Sequence, residues 1–136
     1  MSNRALIGLD VGEKRIGVAV ADGSVRIAVP FTTIEVDGSE IQAIAELAIK
    51  EDAEAFIVGY PRNQKGEVTA QTDYVENFAK QLEDIGPKII FQDESLTSVI
   101  AEQRLIDQKK PYSKGDIDAQ AASIILQDYV EANYGY

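Results

Sequence analysis

The sequence contains neither cysteine nor histidine. These two absences exclude disulfide bonds, thiolate nucleophiles, imidazole general bases and zinc sites of the usual ligand types. Acid–base or metal chemistry in this protein must therefore rest on carboxylates, lysine, tyrosine or hydroxyl groups. The sequence also has no apolar run near the roughly 18 residues that a membrane span needs, and no basic-then-apolar leader. We therefore expect a cytoplasmic protein without a membrane partner.

Basic residues are scarce relative to acidic ones. The chain has 13 lysines and arginines against 23 aspartates and glutamates, a net charge of −10. This excess argues against a nucleic-acid partner, because phosphate contacts need lysine and arginine. The charge is unevenly spread, however: residues 35–54 carry seven acids and one base, whereas residues 104–114 carry four bases and one acid. A local basic loop on an acidic protein stays open, with scattered surface lysines as the ordinary alternative.

The opening stretch of the chain predicts a hairpin. Two apolar, β-branched runs, Ala5–Val11 and Ile16–Ala21, are separated by Gly12-Glu13-Lys14. Both runs are almost wholly apolar, as in strands that are covered on both faces. The first run nevertheless contains one carboxylate, Asp10, which makes that residue a candidate for a functional role.

The rest of the chain adds one more strand and then alternates helices with strands. The pattern predicts a strand over 25–29 and 32–36 interrupted by Pro30, a helix from Ser39 to about Lys50 with a capping box to Gln42, a strand over 55–59, a helix over about 68–85, a strand over 88–92, and helices over about 97–108 and 116–132. This order predicts an α/β fold with a mixed five-stranded sheet, strands 1–3 antiparallel and strands 4 and 5 parallel, flanked by helices. The 136 residues, 45% of them hydrophobic and 26% charged, fit a single domain over residues 1–136.

Three carboxylates stand out against their surroundings. Asp10 lies inside the first strand, Glu94 lies two residues beyond the fifth, and Asp118 lies on the alanine-rich face of the last helix. Converging like charges in an apolar setting need cations, and an all-oxygen ligand set suits Mg²⁺ or Mn²⁺. Two such ions can activate a water and stabilise the leaving oxygen of a phosphodiester. Each acid also has a structural alternative: a strand-end acid, a helix-flanking acid and an acid in the first turn of a helix, respectively.

Four motifs together resemble the YqgF/RuvX family, and they cover nearly the whole chain in the family's order. They are Asp10–Val20, the loop Gly59-x-Pro61-x-x-x-x-Gly66, Asp93–Ser98 and Lys114–Leu126. The family is described as Holliday-junction resolvases and as nucleases that trim the precursor of small-subunit ribosomal RNA. The resemblance implies a ribonuclease H-like fold and a nuclease site on Asp10, Glu94 and Asp118 that acts on an rRNA precursor or branched DNA. The family usually has arginine after its Asp-Glu pair; this chain has Ser95, a change that bears on rate or substrate choice.

Five basic residues on loops are candidates for substrate binding, although a solvated surface role is the ordinary alternative for each: Lys14, Arg15, Arg62, Lys65 and Lys114. Two other classes of protein stay open. One is a noncatalytic nucleic-acid- or protein-binding module with a degenerate site. The other is an actin-like nucleotide-binding half-domain, which an Asp-x-Gly hairpin also resembles. A resolvase that cuts two strands symmetrically would favour a homodimer.

Overall fold

Five strands form one mixed sheet in the computed structural model, which describes residues 4–22, 24, 27–61, 65, 67–94, 97–109 and 111–134, with the backbone alone at 97–99, 101, 102 and 134. The strands are β1 Ala5–Val11, β2 Arg15–Ala21, β3 Ala28–Glu35, β4 Ala53–Pro61 and β5 Lys88–Glu94; the helices are α1 Glu40–Glu51, α2 Ala70–Leu82, α3 Thr97–Asp107 and α4 Lys114–Tyr134, with a 3₁₀ turn at Glu83–Ile85. The strand order is β3-β2-β1-β4-β5. The β1/β2 and β2/β3 pairs are antiparallel, and the β1/β4 and β4/β5 pairs are parallel. The predicted mixed sheet is therefore confirmed.

The central strands β1, β2 and β4 are buried on both faces because helices cover each face of the sheet. On one face, Ile7 and Leu9 of β1 join an apolar cluster with residues of α1 and α2. On the other face, Leu6 joins a second cluster with Ala122 and Leu126 of α4. Side chains alternate along a strand, so Asp10 shares the α4 face with Leu6. The apolar strand pattern thus reflects a two-sided core, and the one acid in β1 faces the last helix.

The α4 helix lies close to the sheet because glycine stands in β1 beneath it. A Cβ atom on Gly8 would lie 2.8 Å from Cβ of Leu126 and 2.9 Å from the carbonyl oxygen of Ala122. These separations are too short for any larger residue without a shift of the helix.

The predicted capping box at the start of α1 is wrong. The Ser39 hydroxyl donates to Oδ1 of Asp37 at 2.6 Å, and Gln42 donates to Glu46 instead of reaching back to the helix start. A carboxylate two residues before Ser39 competes successfully for its hydroxyl. A reciprocal box forms at α2, where the backbone N–H of Thr69 donates to Oγ1 of Thr72 at 3.0 Å.

The third strand is continuous through Pro30 instead of interrupted there. Its register with β2 shifts between Val18 and Ala19, which pair with Thr32 and Pro30, so Phe31 is the extra residue of a bulge. The strand lies at the edge of the sheet, a position that tolerates Pro30, which has no N–H to donate to a further strand. The predicted start at residue 25 lies outside the described residues.

Candidate active site

Asp10 lies near the carboxyl end of the central strand between two positions without side chains. It pairs with Gly17 of β2. On its other side, β1 runs parallel to β4 with Leu9 opposite Val58, so the next position along β4 is Gly59. All three residues share the α4 face by strand alternation. The absence of side chains at the two flanking positions lets groups from other elements approach Asp10 closely.

Glu94 is the last residue of β5 and not two residues beyond it, which corrects the predicted boundary. The strand extends because its parallel pairing with β4 continues to Pro61, the partner of Glu94. A Cβ on Gly59 would overlap Oε2 of Glu94 and would lie 2.6 Å from Cδ1 of Ile125. The Glu94 carboxylate therefore lies over Gly59, between β5 and Asp10. Alternation places the neighbouring Asp93 on the opposite face.

Asp118 approaches the same place from α4. The helix begins at Lys114, two residues earlier than predicted, so Asp118 lies beyond its first turn. The capping role belongs to Asp116: its Oδ2 accepts from the Ser113 backbone N–H at 2.9 Å, and its own N–H donates to the Ser113 hydroxyl at 3.2 Å. The first-turn alternative for Asp118 therefore does not hold.

A glycine also sets the position of the Asp118 backbone. A Cβ on Gly17 would overlap the Asp118 carbonyl oxygen, so β2 and α4 are in direct backbone contact. The side chain of Asp118 accepts a hydrogen bond from Nε of Arg15 at 2.8 Å. Arg15, predicted to bind substrate, is thus paired with one of the candidate ligands.

The three carboxylates interact electrostatically. Burial raises the pKa of Asp10 from 3.8 to about 8, with further contributions from the negative charges of Glu94 and Asp118. Burial also raises the pKa of Glu94. This raised pKa favours the protonated form of Asp10 near neutral pH when no cation is present. Without a cation, the site cannot hold all of its carboxyl groups in the charged form.

The donor set fits a hard divalent cation, since every candidate ligand is a carboxylate oxygen. As they stand, no three acidic side chains of the described residues form a closed ligand set around one point. In this arrangement the carboxylate of Asp118 is paired with the guanidinium of Arg15. An ion bound by Asp118 would therefore compete with Arg15 for its negative charge.

Three of the five predicted substrate-binding bases are exposed near the carboxyl ends of strands β1, β4 and β5. Lys14 lies in the β1–β2 turn, Lys65 follows β4, and Lys114 begins α4. Arg62 lies outside the described residues, as does Ser95.

Among the described residues, the helices are too short or too polar to span a membrane.

Sequence reasoning missed Gly17 and Gly59 as determinants of the site. Their signal was present: a glycine inside an apolar strand often marks a close approach of another backbone or group. The Arg15–Asp118 pair left no such signal, because its members are 103 positions apart in the chain.

Comparison with known proteins identifies the family. A profile of the RuvX family, described as Holliday junction resolvase, matches residues 4–132. The chain belongs to the RuvX family. A relative from Chloroflexus aurantiacus named "Putative pre-16S rRNA nuclease" is 42% identical over 137 residues, covering 97% of this chain and 90% of the relative. A protein of the same name from Synechocystis sp. is 40% identical over 132 residues, covering 93% and 87%.

Solved structures confirm the fold of this RuvX-family chain. Thermus thermophilus RuvC in complex with a Holliday junction superimposes with a TM-score of 0.58 at 16% identity, covering 97% of this chain and 96% of that one. The fowlpox virus resolvase, solved with Holliday junction DNA, gives 0.55 at 13% identity, covering 94% and 97%. The predicted family and ribonuclease H-like fold are therefore confirmed, and the family is one of nucleases.

Proposed function

We propose that this RuvX-family protein is a nuclease that depends on Mg²⁺ or Mn²⁺, with Asp10, Glu94 and Asp118 as the ion ligands and catalytic residues. The observation that carries the proposal is the approach of Glu94 and Asp118 to Asp10, which with burial raises the pKa of Asp10 to about 8. Such a cluster of partly buried acids destabilises a fold unless a cation binds to it. The family match gives the nuclease interpretation priority over the actin-like half-domain.

Each ligand would come from a different, firmly packed element. Asp10 is fixed by the central strand, Glu94 by the end of β5 and Asp118 by the long α4 helix. Bound divalent ions supply the activation of a water and stabilise the leaving oxygen of the phosphodiester. The Asp10 carboxyl must give up its proton to act as a ligand, so ion binding and proton release are coupled at that group.

We assign the precursor of 16S rRNA as the first candidate substrate. Relatives near 40% identity that align over almost the whole chain carry that name. Branched DNA is the second candidate, supported by the description of the family as Holliday junction resolvase. The solved resolvases, at 16% and 13% identity, support the fold alone.

The substrate would lie across the carboxyl ends of the strands, where the three acids meet. Lys14, Lys65 and Lys114 are exposed at or beyond that edge and supply positive charge for phosphates. Their small number on a chain of net charge −10 predicts weak binding with a shallow dependence on salt, because few phosphate contacts release few counterions. A homodimer would be needed for symmetric cutting of a junction, and sedimentation with and without junction DNA measures it.

A cleavage assay tests the proposal. Purified protein with Mn²⁺ or Mg²⁺ is offered a pre-16S rRNA fragment, a four-way DNA junction, duplex DNA and single-stranded RNA side by side. We expect metal-dependent cutting of the rRNA fragment that Asp10→Asn abolishes. Preference for the junction would transfer the assignment to the second candidate. Binding that survives chelation, without cutting of any substrate by folded protein, would contradict the nuclease and favour a noncatalytic binding module.

A further inference from the structure

The ion pair between Arg15 and Asp118 places a fixed positive charge at the candidate active site. Nε of Arg15 lies 2.8 Å from Oδ2 of Asp118, and the two side chains are 30% and 25% exposed. Arg15 is the first residue of β2 and shares the α4 face with Gly17, the partner of Asp10. The guanidinium therefore lies on the same side of the sheet as the acidic cluster. A second pair, Arg4 with Asp52, is 50% and 75% exposed near the opposite end of β1.

The charge balance of the site explains why an arginine is placed there. Asp10 is affected by the charges of both Glu94 and Asp118, so three acids share a small, poorly hydrated region. Arg15 supplies one compensating charge through a charge-assisted hydrogen bond. A divalent ion held by the same acids would supply two charges and would draw on the same Asp118 carboxylate, one oxygen of which accepts from Arg15. Guanidinium and ion are therefore competitors for one carboxylate.

We propose that Arg15 is the internal counterion of the ion-free site: it holds Asp118 beside the acidic cluster and is displaced from that carboxylate when Mg²⁺ or Mn²⁺ binds. This inference rests on the proposed function. Arg15 acts through Asp118 in this role and is a positioning residue. Once displaced, the guanidinium lies free on the face where a phosphodiester would bind, and its planar donors suit phosphate oxygens. The predicted role of Arg15 in substrate binding would then belong to the ion-loaded state only.

The proposal makes two predictions of opposite sign for Arg15→Gln. Without ions, the acidic cluster loses its counterion, so the melting temperature falls. With ions, the competitor for Asp118 is gone, so Mn²⁺ binds more tightly, by a factor of about five, the equilibrium effect of one partly exposed ion pair. A residue with a merely structural role would lower the melting temperature without tightening Mn²⁺ binding.

Calorimetric titration with Mn²⁺ alone, together with thermal unfolding in chelator, measures both effects. Arg4→Gln is the matched control, because it removes the same kind of side chain from an ion pair distant from Asp10. We expect it to leave Mn²⁺ affinity at the wild-type value. Arg15→Lys keeps the charge but lacks the Nε donor, so we expect an intermediate affinity. If Arg15→Gln does not fold, Arg15→Lys alone carries the comparison with wild type.

Unchanged or weaker Mn²⁺ binding by the Arg15 variants would overturn the inference. Asp10→Asn separates that failure from failure of the proposed function. If Asp10→Asn loses Mn²⁺ binding while Arg15→Gln matches wild type, only the counterion role of Arg15 is wrong. If wild type and Asp10→Asn bind Mn²⁺ equally, the ion site itself is wrong and both proposals fall.

Discussion

Replacement of Asp10 by asparagine should stabilise the ion-free protein, and the gain should grow with pH. Burial, with the charges of Glu94 and Asp118, raises the pKa of Asp10 from 3.8 to about 8. Between pH 3.8 and about pH 8, the Asp10 carboxyl therefore binds a proton more fully in the folded state than in the unfolded state. Stability contributed by the protonated carboxyl is fully present below about pH 4 and is lost as the pH rises through 8.

The size of the effect follows from the two pKa values. Their difference sets a ceiling of about 6 kcal/mol at or above pH 8. Relaxation of the neighbouring acids and entry of water reduce it, so we expect Asp10→Asn to gain about 2–4 kcal/mol at pH 8 and almost nothing at pH 4. For a chain of this size, each kcal/mol raises the melting temperature by roughly 3–5 °C.

Thermal and urea unfolding in chelator, at pH 4 to 9, measures this difference. Asp84→Asn is the control, since it removes one negative charge at an exposed position. We expect that control to stay within about 0.5 kcal/mol of wild type at every pH. An Asp10→Asn protein no more stable than wild type at pH 8 would refute the argument that the site holds more negative charge than it can ionise.

Three other substitutions or conditions test separate parts of the structure. Gly17→Ala should destabilise the folded protein by about 2–4 kcal/mol in urea unfolding, because the new Cβ overlaps the Asp118 backbone. Gly38→Ala is the comparison variant: its Cβ has nothing within 4 Å, but Gly38 has a φ of 101°, so a loss of stability there comes from backbone strain and not from a clash. Thr72→Val should lower the free energy of unfolding by about 1–2 kcal/mol, because the Thr72 hydroxyl donates to the Pro61 carbonyl at 2.6 Å and accepts from the Thr69 N–H. A variant as stable as wild type would contradict the role of that hydroxyl in joining β4 to α2. Addition of Mn²⁺ should raise the melting temperature of wild type more at pH 8 than at pH 6, because ion binding displaces a proton. Asp10→Asn should show no such rise in melting temperature. An equal rise in both proteins would place the ion elsewhere.

Local patterns were sufficient to predict much of the fold. The two β-branched runs around Gly12 predicted the β1–β2 hairpin, with Asp10 inside its first strand. Alternation of helices with strands predicted the parallel part of the sheet, because short connections leave few other arrangements. These features depend on residues close together in the chain.

The missed features depend on residues distant in sequence. The polar pair Asp93-Glu94 carries no apolar signal, so only pairing with β4 shows that β5 continues past Gln92 to Glu94. The hydroxyl of Ser39 had two possible partners, and the carboxylate of Asp37 prevailed over the helix start. Pairing of Arg15 with Asp118 requires α4 to cross β2, which no local pattern specifies.

The two neighbouring acids at the end of β5 allow the assignment of the active site to be tested. Glu94 lies on the α4 face over Gly59, whereas strand alternation places Asp93 on the opposite face. Cleavage of a pre-16S rRNA fragment with Mn²⁺ is measured for wild type, Glu94→Gln and Asp93→Asn, each shown to be folded by circular dichroism. We expect Glu94→Gln to lose at least about a hundredfold in rate and Asp93→Asn to stay within a few-fold of wild type. Equal activity of the two variants, or a larger loss for Asp93→Asn, would contradict the assignment of the site to Asp10, Glu94 and Asp118.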